Sequence, residues 1–156
     1  MGIKTRKRAR GSVPYWEIKT AYTKAFNIKW YRMILSDIAT FLHVGGIFRF
    51  ADAFYHSADD GLIAYELEQD HVDKERYKAE DFDCDDFTFS LHGSLHKDLR
   101  TAMMPIFVTW VKIKGKPIGH ALLSYYIDDK VFLIEPQTDE VIHPVPAEYQ
   151  LTLLCG

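Results

Sequence analysis

The run Ile106-Phe107-Val108-Thr109-Trp110-Val111-Lys112-Ile113 sets the architecture of this chain. Every residue in it except Lys112 is β-branched or aromatic, which suits a pleated, half-buried strand better than a helix. Lys114-Gly115-Lys116-Pro117 follows as turn chemistry. A second strand is predicted over 119–127, closed by the turn Asp128-Asp129-Lys130. Val131 to Ile134 makes a third, ended by Pro136, and Val141-Ile142 starts a fourth. Short turns between successive strands predict an antiparallel meander.

Upstream of that run the period changes. Ile28, Tyr31, Ile34, Leu35, Ile38, Phe41 and Leu42 recur at helical spacing, so residues 14–44 read as helical, and Gly45-Gly46 stops the run. Within it, Pro14 to about Phe26 fits either a helix or a strand. Phe48, Phe50 and Phe54 lead to the polar turn Ser57-Ala58-Asp59-Asp60-Gly61. Leu62 to Glu68 suits a short helix or a strand, and a charged stretch runs from Glu68 to Glu80. Phe87, Leu91 and Leu95 fall four apart, predicting a helix from near Cys84 to about Leu99 that Gly93 weakens. Helices first and a meander second is an α+β plan, with N-terminal helices packed on a C-terminal antiparallel sheet. The expected organisation is a basic flexible tail over 1–12 and one domain over 13–156. Its part 13–70 is mainly helical, and 71–156 holds the Cys84 helix and the strands.

The bulk composition narrows the function classes. A chain of 156 residues with 47% hydrophobic, 14% aromatic and 26% charged residues has the makings of a packed core. A net charge of -3 gives no global pull toward nucleic acid or anionic membranes. No apolar run approaches the roughly 18–20 residues of a membrane span, and no signal peptide or lipid anchor is read. Two cysteines, Cys84 and Cys155, argue for free thiols rather than a disulfide framework. The expected location is therefore cytoplasmic, with phage association implied by a family resemblance rather than by composition.

Three residues stand out by placement. Cys84 lies at the first turn of a predicted helix, His120 near the start of a central strand, and Glu135 at the end of the adjacent strand. A thiol at a helix N-terminus, a base and a carboxylate that orients it are the parts of a cysteine nucleophile. Each also has a plain alternative: a structural cysteine, a satisfied strand histidine, a strand terminus. Glu80, Asp81, Asp83, Asp85 and Asp86 crowd around Cys84, and like charge there disfavours a thiolate. Either a hard cation such as calcium offsets them, or they complement the helix dipole. His92 and His96, four apart, could hold zinc but read better as a solvated helix face.

Three blocks carry a family resemblance: Tyr77-Lys78-Ala79-Glu80-Asp81-Phe82-Asp83-Cys84-Asp85-Asp86-Phe87, Gly119-His120-Ala121-Leu122, and Leu133-Ile134-Glu135-Pro136-Gln137-Thr138-Asp139. Across about residues 70–143 the chain resembles the papain-like protease domain of the Marasmius oreades agglutinin family, a group of lectin-related cysteine proteases. The resemblance implies a papain-like fold and a calcium-dependent cysteine peptidase, a hydrolase acting on a protein or peptide substrate. It implies a catalytic set of Cys84, His120 and Glu135. It also implies calcium, with manganese as the alternative, at Asp83, Asp85 and Asp86, with Glu80 and Asp81 behind them. The sequence lacks that family's sugar-binding trefoil domain, and Lys78 stands where papain relatives often place an oxyanion-hole Gln. Two alternatives accompany this reading: transglutaminase-like or amidase acyl transfer, and a non-catalytic phage or virion binding module. No nucleic-acid or membrane partner is expected, and a homodimer is allowed.

Overall fold

The computed structural model describes residues 11–42, 45–79 and 82–156. The tail expected over 1–12 lies almost wholly outside them. The predicted meander is present: β4 (Ile106–Ile113), β5 (Gly119–Ile127), β6 (Lys130–Glu135) and β7 (Glu140–Ile142) pair antiparallel in turn. Against the other side of β4 runs β8 (Tyr149–Cys155), and β2 (Phe48–Arg49) lies parallel beside β8. The sheet order is therefore β2-β8-β4-β5-β6-β7. A separate ribbon pairs β1 (Ser12–Pro14) with β3 (Phe54–His56).

The expected plan of N-terminal helices on an antiparallel C-terminal sheet is corrected on two counts. First, the sheet is mixed, because the N-terminal half supplies β2. Leu151-Thr152-Leu153-Leu154 resembles a loose apolar tail, yet Leu151 and Leu154 are fully buried and their strand is interior. An apolar segment with neighbours on both edges has its backbone groups paired as well as its side chains covered. Second, the helices do not form one layer. Helix α1 (Tyr15–Ala25) covers one face through Ile18, Ala21 and Tyr22, against Phe107, Leu122 and Leu133. Helices α3 (Asp60–Gln69) and α4 (Cys84–Leu95) cover the other through Ile63, Leu67, Leu91 and Leu95, against Ile106, Val108, Leu123 and Ile134. Successive residues of β4 and β5 thus feed opposite cores, as a period of two requires.

The predicted helix over 14–44 is two helices. α1 ends before Asn27, whose φ of 47° is left-handed, and α2 (Trp30–Phe41) starts afresh. The helical spacing in α2 is real, but its apolar stripe is not core. Ile34, Leu35, Ile38 and Phe41 are all at least 50% exposed. The undecided segment after Gly61 is helical as α3, started by Asp59, whose side chain accepts from the Leu62 amide at 3.1 Å. No helix among the described residues is long and apolar enough to cross a membrane.

Candidate functional site

Cys84 is the first residue of α4, and its neighbours build the helix start. The Asp83 carboxylate accepts from the Asp85 amide at 3.4 Å, and the Asp86 carboxylate accepts from the Asp83 amide at 3.2 Å. Together they form a capping box. Ahead of it Lys78 and Phe82 bond backbone to backbone, and the Phe82 and Phe87 rings stand 4.6 Å apart, so the chain enters α4 along a fixed path. Phe87, Leu91 and Leu95, the residues spaced four apart, are all buried, and Leu91 and Leu95 pack against the sheet and seat the helix.

The sheet supplies the other two residues. The register pairs Leu123 with Ile134, which sets Glu135 diagonally across from His120. His120 Nε2 and Glu135 Oε2 lie 2.6 Å apart, with their side chains 21% and 19% exposed. Glu135 Oε1 also accepts from the Gln137 amide at 3.4 Å, so the carboxylate is held from two sides. The ring leaves Nδ1 as its second polar atom. The Cys84 sulfur accepts from the Ala121 amide, next in sequence to His120. The three sequence-predicted residues therefore meet at one place, where the tip of α4 touches the start of β5.

The electrostatics are less favourable than a nucleophile needs. Burial pushes the Cys84 thiol up, the Ala121 amide opposes this, and the Asp83 and Asp85 carboxylates push it further up. A reactive cysteine has its thiol pushed down. Asp85 is itself raised, first by a hydrogen bond with the Asp83 side chain. Ligand atoms of Asp83, Cys84 and Asp85 lie within 4.8 Å of one another. Of the expected metal ligands, Asp83 and Asp86 are engaged in capping, while Glu80 and Asp81 lie outside the described residues.

Other residues depart from the sequence reading. His92 and His96 are stacked at 4.0 Å, and the His92 Nε2 is buried without a hydrogen-bond partner, so this is not a solvated face. Tyr149, on the unforeseen β8, stands near enough to Glu135 for that carboxylate to help raise its phenol, behind burial. No short-range signal links residue 149 to residue 135; only the sheet order brings them together. A cavity of about 880 Å³ lies away from Cys84, lined by Tyr15, Lys19, Asp37, Phe48, Arg49 and Asp52 among others.

No family model matches the chain, and no curated protein sequence matches it. Solved structures do. The PSL1a-E64 complex superposes with a TM-score of 0.70 at 13% identity, covering 93% of this chain and 51% of that one. The fold is one found in lectin chains. A second structure, Polyporus squamosus lectin bound to the human-type influenza-binding epitope Neu5Aca2-6Galb1-4GlcNAc, superposes with a TM-score of 0.67 at 14% identity. It covers 93% of this chain and 49% of that one. PSL1a is a form of the same lectin. The chain thus spans about half the length of each lectin chain it matches.

These neighbours correct the family expectation. The resemblance implied a papain-like protease; the chains sharing this fold are lectin chains, of which this chain spans about half. The papain-like fold assignment and the descriptions hydrolase, thiol protease and cysteine peptidase fall with it. Agglutinin-related is the part of the expectation that fits the neighbours.

Proposed function

We propose that this chain is a non-catalytic ligand-binding module whose ligand sits over Cys84, His120 and Glu135. One observation carries the reading: the 2.6 Å His120–Glu135 pair and the Cys84 sulfur, joined through the Ala121 amide, form a partly exposed polar site on rigid elements. Sites built on strands and a capped helix hold their groups in place before a ligand arrives, which lowers the cost of binding. The Phe89 and Trp110 rings, 5.6 Å apart, add apolar surface nearby, since Trp110 is the register partner of Ala121. PSL1a is described in complex with E64, and the second neighbour with a glycan epitope. Both compounds serve as probes here.

Calcium, with manganese as the alternative, belongs to this reading at Asp83, Asp85 and Asp86. The side-chain hydrogen bond between Asp83 and Asp85 is the crowding a cation would relieve. The oxygens suit a hard ion, and the adjacent thiol is not needed as a ligand.

The test is thermal denaturation and calorimetric titration of the intact chain and Cys84→Ala with E64 and, separately, with the sialylated epitope. Binding of the epitope that is lost or weakened in Cys84→Ala supports the reading, whereas Cys84-dependent covalent attachment of E64 would mark a nucleophilic thiol and overturn it. Equal binding by both proteins, or no binding of either compound, overturns it.

A further inference from the structure

Among the described residues the outer edge of β2 is unpaired, and the cavity set apart from Cys84 lies against it. β2 closes the sheet on one side, with β8 beside it. The Ile47 carbonyl accepts from the Leu154 amide at 2.7 Å and the Arg49 carbonyl from the Gly156 amide at 3.2 Å, while the Ala51 amide donates to the Gly156 carbonyl at 2.7 Å. Pairing along this side therefore runs from Ile47 to Ala51, beyond the two residues of β2 itself. In a strand, alternate residues turn their backbone groups to opposite edges. Phe48 and Phe50 thus turn theirs away from β8, and no backbone hydrogen bond among the described residues reaches them. Unpaired amides and carbonyls along an edge are a template for another strand.

The same segment walls a groove. The cavity of about 880 Å³ is bounded by Phe48 and Phe50, by Tyr15 and Lys19 of α1, and by Asp37 and Phe41 of α2. Aromatic rings run on from it in a row: Phe48 to Phe50 at 5.9 Å, Phe50 to Tyr15 at 5.6 Å, Tyr15 to Trp16 at 5.6 Å and Trp16 to Phe54 at 6.0 Å. Phe48 belongs to the core, whereas Tyr15, Trp16 and Phe54 are 40%, 51% and 54% exposed and Phe41 is 82% exposed. Exposed aromatic surface gathered in one place marks an interaction site. Charge then narrows the partner. Two basic residues, Lys19 and Arg49, and two acidic ones, Asp37 and Asp52, line the cavity, and Lys19 is already held by Asp37 at 2.6 Å. A groove of balanced charge draws neither a polyanion nor a polycation.

We infer that this edge is a peptide-binding groove, which takes an extended, uncharged segment of another protein as an added strand beside β2. The segment's backbone pairs with Phe48 and Phe50, and its alternate apolar side chains rest on the aromatic row. Backbone pairing supplies the affinity and the rings supply the choice of side chain. The groove shares no residue with the site at Cys84, His120 and Glu135, so the two readings stand or fall separately.

Titration of the full chain with a positional-scanning library of acetylated, amidated hexapeptides tests it. Uncharged peptides with aromatic or aliphatic residues at alternate positions should bind best. Two derivatives of the best binder, N-methylated at odd or at even positions, separate strand addition from plain apolar contact. One should bind at least about 10-fold more weakly while the other keeps its affinity, because only alternate residues face the edge and each lost hydrogen bond counts. Trp16→Ala and Phe41→Ala, both at exposed rings, should each weaken binding at least about 5-fold. Leu99→Ala, at an exposed residue outside the groove, should not. Bound peptide should also slow amide hydrogen exchange at Phe48 and Phe50. No binding by any library member, equal binding of the two N-methylated peptides, or wild-type affinity in both Trp16→Ala and Phe41→Ala would each overturn the groove. So would self-association of the chain that protects the same two amides without peptide, since it assigns the edge to a second copy.

Discussion

A cysteine at a helix tip is read from sequence as a candidate nucleophile because the dipole favours its thiolate. What decides the matter is the sum of opposing effects. Burial is the largest, and Asp83 and Asp85 add to it, so the Cys84 thiol is raised despite the helix and the Ala121 amide. The carboxylates were visible in the sequence, and so was the direction of their effect. The burial was not, because it depends on how α4 meets the sheet. Asp85→Asn removes one charge while leaving the Asp83–Asp86 capping bond in place. In a Cys155→Ser background, alkylation of Cys84 by iodoacetamide at pH 7.5 should then accelerate about 2- to 5-fold. An unchanged or slower rate would show that the acids do not govern this thiol. His120 and Glu135 were legible for a different reason: a tight β5–β6 turn with a period of two fixes which residues face each other, and both facts are local.

At the scale of the element, α4 shows how far periodicity reaches. Phe87, Leu91 and Leu95 gave its buried face correctly, and the acidic start proved to be a capping box. The spacing of α2 was equally regular, yet its stripe is exposed, because periodicity reports a helix and not what lies beside it. Tyr149 to Leu153 alternates apolar and polar residues, but behind Pro144 and Pro146 the Leu151–Leu154 run reads as a loose apolar tail, which hides β8. A helical wheel says nothing of what packs on a helix face, and His92 lies against His96 and the backbone of Ile106 at the start of β4. Burial first and the charge of His96 second lower His92 to about 4, against an ordinary 6.5. The folded value lies below the unfolded one, so the neutral ring contributes stability above pH 6.5, and that contribution is lost as pH falls toward 4. Allowing for solvent screening of a half-buried ring, the loss is about 1–2 kcal/mol. In urea titrations, His92→Leu should flatten the decline in stability between pH 6.5 and 4 relative to the wild type; an equally steep decline would show that His92 does not cause it.

For the molecule as a whole, the question is whether two cores on opposite faces of one sheet behave as one. Leu122 belongs to the core under α1 and Leu91 to the core under α3 and α4, and both are fully buried. They are linked through β5, whose residues alternate between the faces: Leu122 points to one and Leu123 to the other. A polar relay adds to the link. The Tyr22 hydroxyl of α1 meets Ser124 Oγ at 2.7 Å, and Ser124 meets Thr109 Oγ1 at 2.5 Å, so α1 is bonded to the central strands inside the core. Loosening either face must disturb a strand that the other face also uses, which is the physical condition for a single cooperative transition. Leu122→Ala and Leu91→Ala should therefore each cost about 2–5 kcal/mol, by lost transfer energy and an incompletely closed cavity. Each should lower one unfolding midpoint that coincides by tryptophan fluorescence and far-ultraviolet circular dichroism. If Leu91→Ala instead split the transition in two, with the α1 face melting later, the faces would be separate folding units, and the Tyr22–Ser124–Thr109 relay would not couple them.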